Sequence, residues 1–237
     1  MLKNKTSQKK YKNLYFDIDR TLWDLKSNSE LTLWELINKH MPGLAPKFKE
    51  FLNIFYIENE KLWLQYRNGE ISKEILRAKR FNDTFNILGI NAPSTATIIG
   101  DDFIKESPLK TGLFPYTIET LEYLQLQGYN MYLLTNGFAE VQRVKIKESR
   151  LETFFKKMIT SEDTGYQKPN KKIFEYALKT VNAKKRESIM IGDDIDNDII
   201  GAKQFGMDTV FFNPEKLKHN SNPTFEIHSL NELMDIL

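Results

Sequence analysis

The chain contains no cysteine. Disulfides, thiolate metal sites and cysteine nucleophiles are thereby excluded, and the composition fits a reducing compartment, so a cytoplasmic location is expected. No apolar run approaches the roughly 20 residues that span a bilayer, so no membrane partner is expected. Neither sign of charge dominates: 34 Lys and Arg stand against 32 Asp and Glu, a net +2. That is too little to point to a nucleic acid polymer. Internal repeats and low-complexity segments are also missing. What is present is an ordinary globular balance, 41% apolar and 28% charged over 237 residues, within the size of a single core plus an insert. The basic opening MLKNKTSQKKYK precedes no hydrophobic segment of signal-peptide length and reads as a solvated arm.

Short apolar runs alternate with helical patterns along most of the chain. NLYFDID (13–19), NMYLLTNG (130–137), KKMITSED (156–163), SIMIGDD (188–194) and DTVFFNP (208–214) each pair such a run with polar or small residues. Helical spacing fills 116–127, 138–149 and 170–181. Near-continuous apolar strands alternating with helices predict an α/β fold, a Rossmann-like parallel sheet covered by helices on both faces. The stretch from about Lys26 to Lys110 breaks this plan. It carries no strand pattern and predicts four helices, 29–39, 46–68, 72–88 and 95–106, with Ser72 as an N-cap. An all-helical insert (26–107) is therefore expected between the first strand and the rest of the α/β domain (1–25 and 108–237).

Ligands of open parallel sheets bind beyond the carboxyl ends of the strands, so the polar residues there are the candidates. Asp17 and Asp19 would point the same way from an extended segment. Two such carboxylates raise each other's pKa unless a cation intervenes. Thr135, Asn136 and Gly137 offer a hydroxyl, an amide and unhindered backbone N–H groups suited to an anion. Lys168 lies in a turn between strand and helix, whereas Lys171 and Lys172 read as exposed first-turn residues. Asp193, Asp194, Asp196 and Asp198 crowd the end of another strand. Each signal has a structural explanation by itself, in strand-end caps or solvated charge. Together they form a site in which a divalent cation, hard enough to favour oxygen ligands and so magnesium, neutralises the acids. The hydroxyl, amides and lysine would then bind phosphoryl oxygens, and an aspartate would act as nucleophile.

In order and wording, FDIDRTL, LLTNG, GYQKP and IGDDIDNDI resemble the four motifs of the haloacid dehalogenase superfamily. The resemblance spans Lys12 to Asn213, and the helical insert is similar to a type C1 cap. Longer phrases, TLWD, TNGF and SEDTGYQKPNKKIFEYAL, look most like the pyrimidine 5′-nucleotidase branch. The resemblance implies a phosphatase with Asp17 as nucleophile and Asp19 as general acid and base. It implies Thr135 and Lys168 as the phosphate-binding pair, and magnesium held by Asp17, the Asp19 carbonyl and Asp193. Asp198 would be an outer partner of Lys168 or of metal-bound water. The expected substrate is a small phosphorylated metabolite, a nucleoside monophosphate first, and the expected state a monomer or weak dimer.

Arg20 departs from the glycine or acid common in relatives. Its backbone N–H is expected to face phosphate, with the side chain turned away. Asp194 stands where many relatives carry serine or threonine, which leaves it either an outer-shell acid or a helix N-cap; Asp196 reads as a cap. The loop from Asn68 and Gly69 to Ser72 is expected to read the leaving group. Near it, Trp63, Tyr66, Arg67 and Arg80 could stack on and hydrogen-bond a nucleobase, although Leu62, Trp63, Tyr66 and Phe81 at helical spacing read first as cap core. Asp19 argues against dehalogenation, which needs no proton donor, while sugar-phosphate phosphatases and mutases stay open. A receiver-type phospho-acceptor module would be about half as long, with its acidic pair before the acceptor. A calcium loop at DIDND fails because Ile199 and Phe205 occupy the required glycine and glutamate positions.

Overall fold

The computed structural model describes residues 10–237; the expected arm over 1–9 lies outside the described residues. The arm reading fails for its last residues. Tyr11 is buried and bonds Asp208, and Lys10 pairs with the same carboxylate at 2.7 Å. An aromatic with a polar tip can cover the sheet end while its hydroxyl finds an acceptor.

The chain divides into two compact units, one running up to Asp24 and resuming over Gly112–Leu237, the other Leu25–Thr111. The first is built on six parallel strands: β1 (Asn13–Phe16), β2 (Asn130–Thr135), β3 (Lys157–Thr160), β4 (Ser188–Gly192), β5 (Asp208–Phe212) and β6 (Phe225–Ile227). Their order is β3-β2-β1-β4-β5-β6. The sixth strand was not expected, being a three-residue edge element whose Glu226 interrupts the apolar pattern. β1 and β4 are wholly buried, as apolar runs without alternation require. Tyr15, Leu134, Ile159, Phe174 and Met190 are among the side chains of a continuous core over the sheet. The chain leaves β1 toward β2 and β3 on one side and returns to β4 on the other. That reversal opens a crevice at the carboxyl ends of β1, β2 and β4.

The second unit is all-helical: α1 (Leu25–His40), α2 (Phe48–Arg67), α3 (Lys73–Ile87) and α4 (Pro93–Glu106). Ser72 caps α3 by accepting the Ile75 N–H. Its core is aromatic, with Phe51, Phe55, Phe81 and Phe85 packed beside Leu33, Leu36 and Ile99. Burying each such side chain contributes about 1.5–3 kcal/mol, so an 87-residue-range segment of this kind has its own source of stability. Back in the first unit, α5 (Thr117–Leu126), α6 (Ala139–Glu148), the short turn α7 (Ser161–Thr164) and α8 (Lys171–Thr180) connect the strands. After β4 the chain makes a π-type turn over Ile195–Ile200 that runs into α9 (Gly201–Phe205). No helix among the described residues is long and apolar enough to cross a membrane.

Candidate active site

The site begins where the apolar run of β1 ends. The Asp17 N–H continues the ladder to Ile191 O at 2.9 Å, which fixes the backbone and sets the carboxylate at the strand end, 7% exposed. Lys168 reaches it from the loop before α8. Its Nζ donates to Asp17 Oδ1 at 2.6 Å, to Asp198 Oδ1 at 2.6 Å and to Leu134 O at 2.8 Å. Those three acceptors match the three hydrogens of an ammonium. Asp198 is buried, and its Oδ2 accepts the Asp194 N–H at 3.2 Å. The approach of Asp198 depends on Gly192, where a Cβ would lie 2.2 Å from Asp198 Oδ2.

Thr135, at the end of β2, is buried, and its Oγ1 accepts from the Gly137 N–H at 3.0 Å and from Gln142 Nε2 at 3.2 Å. With both lone pairs accepting, the hydroxyl hydrogen is left to donate to an acceptor brought into the crevice. Thr21 donates to Asp193 Oδ1 at 3.1 Å and so orients the first acid after β4.

Carboxylate oxygens of Asp17, Asp193 and Asp198 lie within 4.8 Å of one another. Burial pushes the Asp17 carboxyl up to about 7; Lys168 opposes the rise, and Asp198 and Asp19 add to it. Burial, then Asp17, Asp198 and Asp194, hold Asp193 well above the usual carboxylate range. Asp198 is also raised, by burial against the pull of Lys168. Burial would lower the Lys168 ammonium, but the two carboxylates outweigh it and raise it. Asp17 and Asp198 are buried and Asp193 half-buried, and Lys168, bonded between two of them, and Arg20, which opposes the rise at Asp193, leave an excess of negative charge; the donors are all hard oxygens. These residues fit a small divalent cation. Asp198 already uses both oxygens, so Asp17 and Asp193 are the side chains left to hold it.

The family model for haloacid dehalogenase-like hydrolases matches residues 14–212. The chain belongs to that family. Among solved structures, the hydrolase resembles the HAD-hydrolase YfnB of Bacillus subtilis bound to magnesium, with a TM-score of 0.86 and 28% identity over 96% of this chain and 99% of that one. Among relatives, the glyceraldehyde 3-phosphate phosphatase of Methanocaldococcus jannaschii is 31% identical over 95% of this chain and 96% of its own. The pyrimidine 5′-nucleotidase PynA of Streptococcus pneumoniae is 27% identical over 96% and 95%.

Within this hydrolase, Asp17, Asp19, Thr135, Lys168, Asp193 and Asp198 all belong to one edge of one unit, while Asn68 and Gly69 form the α2–α3 turn of the other. There Asn68 donates to Glu70 at 2.9 Å, and Gly69 takes a left-handed φ of 74°. Several expected contacts differ. The Arg20 N–H does not face the crevice but donates to Trp23 O at 2.9 Å, because Arg20 turns the loop with φ 64°. That left-handed geometry costs a side-chain-bearing residue energy, which accounts for a glycine being suited there. The Asn136 amide is not directed to an anion. It donates to Lys168 O at 2.9 Å and accepts the Lys168 N–H at 2.8 Å, so it holds the lysine loop. The Gly137 N–H is taken by Thr135 Oγ1. Asp194 is an N-cap, its Oδ1 accepting the Asp196 and Asn197 N–H groups at 3.0 and 2.9 Å. Leu62 and Phe81 are buried core, and Arg80 is buried over the Phe103 ring at 4.8 Å, whereas Trp63 and Tyr66 stay half-buried.

Sequence reasoning missed Gln142 and Lys145 on α6. Both are buried and both bond Asp19, Gln142 Nε2 to Oδ2 at 2.7 Å and Lys145 Nζ to Oδ1 at 2.5 Å. Their spacing of three on one helix face was the available signal, since it puts two polar residues on the side that must cover the sheet.

Proposed function

We propose that this hydrolase is a magnesium-dependent phosphomonoesterase that acts through an aspartyl phosphate on Asp17. The Thr135 hydroxyl binds a phosphoryl oxygen, while the Lys168 ammonium, its three hydrogens held by Asp17, Leu134 O and Asp198, screens the charge of the nucleophile and of the phosphoryl group beside it. An Asp17 oxygen attacks phosphorus, the ester P–O bond breaks, and the departing alkoxide takes a proton from Asp19. A water then attacks the same phosphorus while Asp19 takes its proton, releasing phosphate and restoring Asp17. Asp17, the Asp19 carbonyl and Asp193 would hold the magnesium, which would offset the charge of the phosphoryl group and the nucleophile. The observation that carries this reading is Asp17 bound at one oxygen by buried Lys168, with acids beyond it in excess of nearby cations. Asp17→Asn should abolish turnover while the protein still melts cooperatively; phosphatase activity surviving in a clean preparation would rule out the covalent route.

The favoured substrate class is a nucleoside monophosphate. Its support is the likeness to a pyrimidine 5′-nucleotidase, and the Asn68–Gly69 turn is proposed to read the leaving group. A phosphorylated triose or sugar is the second reading, on the likeness to a glyceraldehyde 3-phosphate phosphatase. A magnesium-dependent phosphate-release screen across both classes separates them. Nucleoside monophosphates should show the higher kcat/KM, and sugar phosphates turned over far faster would reverse the assignment.

A further inference from the structure

The Asp19 carboxylate is held by two groups from one helix. Lys145 takes Oδ1 at 2.5 Å and Gln142 takes Oδ2 at 2.7 Å. Both partners are more buried than the acid they hold: Gln142 is 0% exposed and Lys145 5%, against a half-buried Asp19. This is the reverse of a surface ion pair, whose long side chains stay mobile and contribute little. The lysine is further confined by the Trp23 ring, 4.1 Å from Nζ to the centroid. Gln142 is confined by Gly137, where an added Cβ would fall 1.9 Å from Nε2. Its Nε2 also reaches Thr135 Oγ1 at 3.2 Å, while its own Oε1 is buried without a partner among the described residues. Leaving a buried acceptor unsatisfied carries a desolvation penalty. The orientation is nevertheless the one that serves Asp19 and Thr135 at once, since the flipped amide would set oxygen against carboxylate.

We propose that Gln142 and Lys145 are positioning residues that lock the Asp19 carboxyl group in register with the Thr135 hydroxyl; each oxygen keeps a second lone pair that neither donor occupies, and the proton given to the leaving group is carried there, so that its transfer starts from a fixed geometry. The inference rests on the reading of Asp19 as proton donor. A side chain with free χ1 and χ2 samples several rotamers, and small misplacements of a catalytic group are costly in rate. The clamp removes that freedom through a helix already packed on the sheet, and Gln142 ties the acid to the hydroxyl that would meet the phosphoryl group.

The test compares a nucleoside monophosphate, whose alkoxide needs a proton to leave, with p-nitrophenyl phosphate, whose phenolate leaves without one. Lys145→Met should lower kcat for the nucleoside monophosphate on the order of 10-fold or more, within the range of general acid catalysis, with KM little changed. The first-turnover burst of p-nitrophenolate should persist, and Lys145→Arg should recover most of the lost rate. In an Asp19→Asn background, Lys145→Met should add no further loss. Equal losses for both substrates in the first turnover, or losses that simply multiply with Asp19→Asn, would reduce Lys145 to a structural residue and overturn the clamp. Wild-type turnover by Asp19→Asn would instead overturn the proton-donor reading, and the clamp with it. Melting curves and the Arg variant guard against a fold defect, because loss of folding would remove the burst as well.

Discussion

Four aspartates in six positions after β4 have different environments, and their residue-level chemistry follows from that. Asp193 meets Thr21 and two buried acids; Asp198 is closed off on Lys168; Asp194 caps the π-type turn; Asp196 is exposed. Asp193→Asn should therefore remove most of the phosphatase activity, whereas Asp196→Asn should leave kcat/KM within about twofold, as surface substitutions away from such features leave stability nearly unchanged. Comparable losses in a phosphate-release assay would show that this division of labour is wrong. Spacing alone made Asp17, Asp19, Lys168 and Asp193 readable, since each stands at a strand end or in the loop that follows. Spacing did not by itself separate a ligand from a cap; the resemblance to the four motifs supplied that division and left only Asp194 open, because a carboxylate two residues along differs only in which N–H groups its oxygens meet.

At the scale of elements, glycines set how close the pieces of the site approach. Gly192 ends β4, and a Cβ there would sit 2.4 Å from Asp198 Cγ. Gly192→Ala must displace Asp198 from Lys168, at a cost of about 1–3 kcal/mol typical of overpacking. A lower melting temperature together with reduced turnover is expected; an unchanged value for both would mean the turn yields freely. Five of the six strands and the longer helices of both units were legible because continuous apolar runs, a helical period of 3.6 and the Ser72 cap are local signals. The inward face of α6 was not. In AEVQRVKIKE a lysine among lysines reads as solvated, and only packing on the sheet turns Gln142 and Lys145 toward Asp19. Arg20 was misread for a related reason: its left-handed turn is imposed by the loop that closes on Ile18 O and Trp23 O.

For the whole molecule, the buried acids link stability to pH and to the metal. The Asp17 carboxyl is raised from 3.8 to about 7 in the folded state. Between those values the folded protein holds more protons than the unfolded one, so stability contributed by this group falls as pH rises through the interval. A divalent cation competes with those protons. Magnesium should therefore raise the melting temperature more at pH 8 than at pH 5, and chelation should abolish turnover at both. An equal magnesium shift at the two pH values would show that the cation does not engage Asp17. By itself the amino-acid order determined the parallel α/β plan and the all-helical insert and set acids, a hydroxyl and a lysine at strand ends or in the loops that follow, because strand ends and helix caps are written in neighbouring residues. Only the tertiary structure decided that Asp194 caps a turn, that Asn136 holds the lysine loop, and which helix holds Asp19. Those choices depend on strands more than a hundred residues apart pairing in one register, Phe16 beside Leu133 and Ile191, and on the desolvation that pairing imposes on the charges at its edge.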